Sequence, residues 1–139
     1  MAENISIIKA LPPITPESKE FWAACERGQL LIQQCDDCGK FQFYPRILCT
    51  SCGSASVTWM ETSGRGRIKS FTIIRRAVSE AYEPDVPYVI GLIELDEGPT
   101  MMSKVLAGDV STVSIGEPVT VSFERYTEQV CVPVFRVNG

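Results

Sequence analysis

Two C-x-x-C pairs, Cys35 with Cys38 and Cys49 with Cys52, stand ten residues apart in CDDCGKFQFYPRILCTSCG, and nothing else in this 139-residue chain restricts its fold so tightly. Two residues between cysteines let both thiolates of one tight turn face a single ion. A glycine follows each pair, Gly39 and Gly53, and permits the left-handed backbone that turns amide N–H groups toward the sulfurs. The four cysteines are expected to hold one structural zinc ion. Iron in a rubredoxin-like site, two disulfides or four separate buried thiols are the alternatives. Four thiolates leave no open coordination position, so the metal is expected to support the fold rather than activate water. Lys40 and Arg46 stand close enough in sequence to offset the charge of the site.

The chain contains no histidine. That removes the commonest general base, the usual partner of a Ser or Cys nucleophile, and every His-containing metal site. Self-contained hydrolase, thiolase or hydratase chemistry of the His-dependent kind is thereby excluded. Seventeen acids against thirteen bases, net charge -4, disfavour a polyanion as the main partner. No apolar run approaches the roughly 18 residues needed to cross a bilayer, and the start MAENISIIKALPPITP lacks the pattern of a secretory signal, so a cytoplasmic protein without membrane contact is expected.

Three segments follow from the pattern: residues 1–34 as an arm and helix, 35–56 as the ribbon, and 57–139 as a barrel. In the first, the Pro-punctuated arm LPPITP leads into TPESKEFWAACERG. Thr15 is placed as N-cap, Pro16 at the first helical position and Gly28 as the stop of a helix of about three turns. Phe21, Trp22 and Cys25 make an apolar stripe on that helix. In the third segment, VTWME, GRIKSFTIIRR, PYVIGLIELD, PTMMSKV, PVTVSFE and CVPVFRV read as short strands bounded by turn residues. Five or six such strands suit a small closed Greek-key barrel, because closure removes exposed edges. GLIELDEGPTMM reads as a hairpin, and DVSTVSIGEPV as a short helical turn broken at Gly116.

The order of helix, four-cysteine ribbon and barrel, with FWAACERGQLLIQQCDDCGKFQFYPRILCTSCG, then WMETSGRGRIKSFTIIRR, PYVIGLIELDEGP and SIGEPVTVSFE, closely resembles the zinc-ribbon OB-fold proteins filed as domain of unknown function 35. The similarity runs from about Phe21 to Arg136, and the SGRG and ELDEGP strings are its most specific parts. The resemblance implies a mainly β chain with an N-terminal helix, a rubredoxin-like zinc ribbon and a small OB-fold barrel. It also implies a non-catalytic accessory subunit that docks on an acyl-CoA enzyme. A thiolase-like catalytic subunit is the expected partner, and a MaoC-type hydratase or a thiolase-fold aldolase is the alternative. Some relatives are fused to their partner; this chain is expected to bind its partner in trans.

Five bases, Arg65, Arg67, Lys69, Arg75 and Arg76, fall within twelve residues and are candidates to contact the phosphates of acyl-CoA or CoA. A solvated strand end is the plainer reading of the same residues. Arg65, Arg67 and Lys69 alternate and so share one face of a strand. Tyr82 and Tyr88 bracket EPDVP, a loop placed to cover an adenine or a partner surface, although turn chemistry alone also explains it. The arm and the Phe21/Trp22 helix are expected to dock the partner. A single-stranded nucleic-acid binder is a second class, drawing on Arg67, Lys69 and Phe71, but eleven acids to eight bases from Glu61 onward oppose it. Cys25 and Cys131 are the only thiols left for nucleophilic chemistry, and their apolar surroundings read as core.

Overall fold

The structure is a computed structural model that describes residues 14–77, 80–128 and 130–137. Most of the N-terminal arm, residues 1–13, lies outside the described residues, and so does the side chain of Tyr82.

Helix α1 spans Lys19–Glu26 and is about two turns long rather than three. Its N-cap is Ser18, not Thr15. Thr15 and Ser18 bond to each other instead: the Ser18 amide donates to the Thr15 carbonyl at 3.1 Å, the Thr15 amide donates to the Ser18 hydroxyl at 2.9 Å, and the two hydroxyls lie 2.9 Å apart. These bonds close a turn around Pro16 and Glu17, which delays the helix by one turn. Phe21, Ala24 and Cys25 are its buried face.

Strands β1 (Leu31–Cys35), β2 (Phe41–Gln42) and β3 (Val57–Glu61) form an antiparallel sheet in the order β2-β1-β3. The VTWME strand, read from the sequence as the head of the barrel, therefore belongs to the ribbon. All five of its residues pair with β1, from Leu31 opposite Glu61 to Cys35 opposite Val57. A strand's period-2 pattern shows which of its faces is buried but not which neighbour it joins.

Strands β4 (Arg65–Ile74), β5 (Tyr88–Leu95), β6 (Thr100–Leu106), β7 (Pro118–Arg125) and β8 (Cys131–Val137) close a barrel in the order β4-β5-β6-β8-β7. β6 and β8 run parallel, and the other neighbours are antiparallel. This is the connectivity of an OB-type Greek-key barrel. The expected hairpin joins β5 to β6. The expected helical turn is a 3₁₀ turn at Val110–Thr112, capped by the Asp109 carboxylate, which accepts from the Ser111 amide at 2.9 Å. Ile68, Val89, Ile93, Val119 and Phe135 are essentially sealed in the interior, and Phe21, Cys25, Leu30 and Ile32 join the same apolar cluster. Helix, ribbon and barrel thus share one core.

The SGRG and ELDEGP strings meet where the ribbon passes into the barrel. Thr62 donates from its amide to the Leu30 carbonyl, the Ser63 amide donates to the Glu97 carboxylate, and the Asp96 amide donates to the Arg65 carbonyl, all within 3.0 Å. At Gly66 a Cβ would stand 2.6 Å from the Glu94 carbonyl oxygen, so only glycine lets β4 and β5 come this close.

Candidate metal centre and basic strand

The first cysteine pair begins on the last residue of β1, and the second begins in the loop after β2. Gly39 and Gly53 adopt φ of 76° and 80°, and their amides donate back to the Cys35 and Cys49 carbonyls at 2.9 Å each. Each turn thereby aims N–H groups at its first sulfur. The Cys38 amide donates to Cys35 Sγ at 3.4 Å, and the amides of Ser51 and Cys52 donate to Cys49 Sγ at 3.4 Å. Those donors favour the thiolate. The Cys52 and Ser51 amides bring the Cys49 thiol down to about 6, and the Cys38 amide lowers Cys35 from its usual value.

All four sulfurs lie within 4.8 Å of one another, with Cys35 Sγ 3.6 Å from Cys52 Sγ and Cys38 Sγ 3.6 Å from Cys49 Sγ. A tetrahedron of Zn–S bonds near 2.3 Å requires sulfurs about 3.8 Å apart, so the donor set fits zinc. The thiols are unbridged. The site's charge is moderated by these amides. Arg46 is turned elsewhere, donating to the Pro45 carbonyl at 3.2 Å with its guanidinium over the Tyr44 ring at 5.7 Å.

Two residues that sequence reasoning missed position the second turn. Gln33 and Gln42, opposite each other on β1 and β2, are both buried, and Gln42 Nε2 donates to Gln33 Oε1 at 2.7 Å. Gln33 also accepts from the Arg46 amide at 2.9 Å and donates to the Arg46 carbonyl at 2.8 Å. Gln42 accepts from the Thr50 amide at 2.9 Å, next to the ligand Cys49. The only available signal was their place on the inward phase of two ribbon strands, where a glutamine needs partners.

The five bases divide. Arg65, Arg67 and Lys69 are exposed on β4 near the ribbon. Arg65 faces Asp96 at 3.8 Å, and Arg67 Nη1 donates to the Gly116 carbonyl at 3.1 Å. A β-bulge between Ile68 and Ser70 puts Lys69 and Ser70 side by side in exposure and interrupts the strict alternation. Arg75 and Arg76 follow the end of β4, about 30 Å away from Arg65 at a strand's rise per residue. The stretch is thus two groups, Arg65, Arg67 and Lys69 along the first half of β4 and Arg75 and Arg76 beyond its end. Phe71, between the two groups on β4, is half-buried against the core cluster.

Phe21 is an internal anchor, and Trp22 packs half-buried beside it. Phe21 is 1% exposed, and Trp22 donates its indole N–H to the Tyr44 hydroxyl at 3.2 Å. Both belong to an aromatic cluster with Phe43 and Tyr44, with ring centroids 4.8 to 5.9 Å apart. Phe21 thus packs within the chain, while Trp22 is half-buried and keeps part of its surface exposed. Cys25 is buried and its thiol is pushed up to about 12, chiefly by burial and then by Cys131 and Glu26; burial also raises Cys131. Both behave as core thiols rather than nucleophiles. Among the described residues no helix is long and apolar enough to cross a membrane.

The fold and the four sulfurs define a class: a structural zinc ribbon seated on an OB-type barrel. Residues 22–58 match the family described as "ChsH2, rubredoxin-like zinc ribbon domain", and residues 59–124 match "ChsH2, C-terminal OB-fold domain". The chain belongs to this zinc-ribbon OB-fold family, known as DUF35. A "DUF35 domain-containing scaffold protein" of Methanothermobacter thermautotrophicus is 30% identical over 105 residues, 75% of this chain and 78% of that protein. A "probable enoyl-CoA hydratase alpha subunit" of Thermomonospora curvata is 27% identical over 129 residues, 93% of this chain. The chain spans only 40% of that relative's length. The solved structure described as "Ltp2-ChsH2(DUF35) aldolase" superimposes with a TM-score of 0.82 at 28% identity, covering 91% of this chain and 98% of that one.

Proposed function

We propose that the chain is the non-catalytic accessory subunit of an acyl-CoA-processing complex, docking on a catalytic subunit and assisting acyl-CoA binding there. The observation that carries the reading is a fold built around a closed four-cysteine site, in a chain without histidine, that matches relatives named as scaffold proteins. Chemistry then has to come from another subunit. A thiolase-like partner is the reading drawn from the sequence resemblance. The names of the Thermomonospora relative and of the aldolase structure favour a hydratase or aldolase subunit as the second.

Arg65, Arg67 and Lys69 along the first half of β4, and Arg75 and Arg76 beyond its end, are the proposed contacts to the acyl-CoA phosphates, tested as two separate groups. The test is to purify the tagged chain from its native host, identify the stoichiometric partner, and titrate the complex with acyl-CoA by calorimetry. Replacing either basic group by alanine removes charge-assisted bonds of about 1.5 to 3 kcal/mol each, so the group in contact should reveal itself by a loss of affinity of roughly tenfold or more. Unchanged affinity in both variants would leave the catalytic subunit as the sole acyl-CoA binder. Purification without any stoichiometric partner would end the accessory-subunit reading.

A further inference from the structure

The turn that leads into α1 and the ribbon sheet enclose an open groove of about 320 Å³. Pro16, Ile47, Val57 and Trp59 supply its apolar lining, and Glu17 and Glu20 stand among them. Val57 and Trp59 are alternate residues of β3, so both reach the same face of the ribbon. Ile47, in the loop before Cys49, is 70% exposed, and Ile14, where the described chain begins, is 52% exposed. The other polar groups at the groove are committed elsewhere: Gln33 bonds to Gln42 and to the Arg46 main chain, and the Arg46 guanidinium lies over the Tyr44 ring. Glu17 and Glu20 differ, since among the described residues no cation pairs with either.

An apolar cavity of about 150 Å³ takes one benzene-sized group, so a groove roughly twice that size has room for about two aliphatic side chains. Its chemistry asks for a short apolar stretch that carries a base. ISIIKAL, residues 5–11, has that composition: Ile5, Ile7, Ile8 and Leu11 are apolar, and Lys9 is its one charged residue. It is also tethered at the right place. The stretch runs into Ile14 and then into Pro16, itself part of the groove wall, and a chain rising about 3.3 Å per residue keeps all of it within roughly 30 Å of Ile14. A segment on so short a tether meets its site at an effective concentration on the order of millimolar, an advantage that no segment of a separate chain has.

We propose that residues 5–11 seat in this groove of their own chain, with Ile8 and Leu11 against Trp59 and Ile47 and with Lys9 beside Glu17 and Glu20. The seat goes beyond the accessory-subunit reading and does not depend on it. It assigns the arm to the ribbon, where the sequence pattern sends it to the partner.

Limited trypsin digestion of the full chain tests it, because a seated Lys9 is withheld from the protease. Cleavage after Lys9, read by mass, should be at least tenfold slower in the native chain than in Ile47→Asp or Glu20→Lys. The first variant puts a charge in the apolar wall and the second sets a base against Lys9, and neither alters the arm's own sequence. Both positions are exposed, so both variants should keep one zinc per chain. Methyl NMR of the native chain should show contacts from Ile8 and Leu11 to the Trp59 ring, and both variants should lose them. Equal cleavage rates in all three proteins, or a protected arm without contacts to Trp59, overturns the seat. Rapid cleavage in the free chain, with protection only in the complex purified from the native host, overturns it in favour of docking on the partner. Protection that rises with the concentration of this chain alone overturns it in favour of exchange of arms between copies.

Discussion

Cys35 is both the end of β1 and the first zinc ligand, so its thiolate ties the metal directly to the sheet. Cys35→Ser should lose the ion and most of the soluble protein, because ligand geometry and a buried strand end fail together. Elemental analysis checks this, with about one zinc per chain expected in the native protein and well under half in the variant. Gln42→Leu should have a milder effect of the same sign. It strands the Thr50 amide beside Cys49, and loss of such a supporting bond typically weakens metal affinity about 10- to 100-fold, measurable by chelator competition. A pH effect is expected at Glu26, whose carboxyl accepts a 2.8 Å bond from Arg125 Nη2 and is held below its usual value chiefly by that bond. Because the folded value lies below the unfolded one, the pair stabilises the fold above the ordinary glutamate range near 4.5 and its contribution disappears as pH falls through the lowered value. Glu26→Gln should therefore flatten the melting temperature profile on the acid side of that range and leave any loss above pH 6 nearly constant. The cysteines were legible because metal geometry dictates their spacing. The glutamine pair was not, because an amide on a strand reads as surface until the residue opposite it is known.

At the scale of elements, α1 is fastened to both halves of the molecule. Trp22 ties it to the loop after β2 through Tyr44, and Glu26 ties it to the end of β7 through Arg125. Trp22→Ala should cost about 2 to 4 kcal/mol of stability, since it removes part of the aromatic cluster and an indole hydrogen bond. Denaturant unfolding would show that loss, and partner affinity measured on the folded fraction should stay within a few-fold of native. A large loss of affinity at unchanged stability would return Trp22 to the interface. The strands themselves, the β5–β6 hairpin and the 3₁₀ turn were readable from period-2 patterns and turn residues. The start of α1 and the allegiance of β3 were not. The first was decided by two hydroxyl groups bonding to each other, the second by which neighbouring edge was available.

At the scale of the whole molecule, one apolar cluster runs from Phe21 through Leu30 and Ile32 to Phe135, so ribbon and barrel should respond as a unit. The isolated chain should show no turnover of any acyl-CoA, and activity should appear only when the catalytic subunit is added; assays of both preparations, free of contaminating enzyme, decide this. Sustained turnover by the chain alone would remove the accessory reading. The sequence by itself determined the zinc ribbon, the barrel class and the family, because ligand spacing, strand periodicity and glycine at forced backbone positions are local demands that leave a local trace. Only the tertiary structure decided that Trp22 packs half-buried against Phe21 and Tyr44, that the five bases divide between the first half of β4 and the residues beyond its end, and that β3 joins the ribbon. Each of these depends on which residues from distant parts of the chain lie opposite one another, and a linear pattern of side chains carries no record of that.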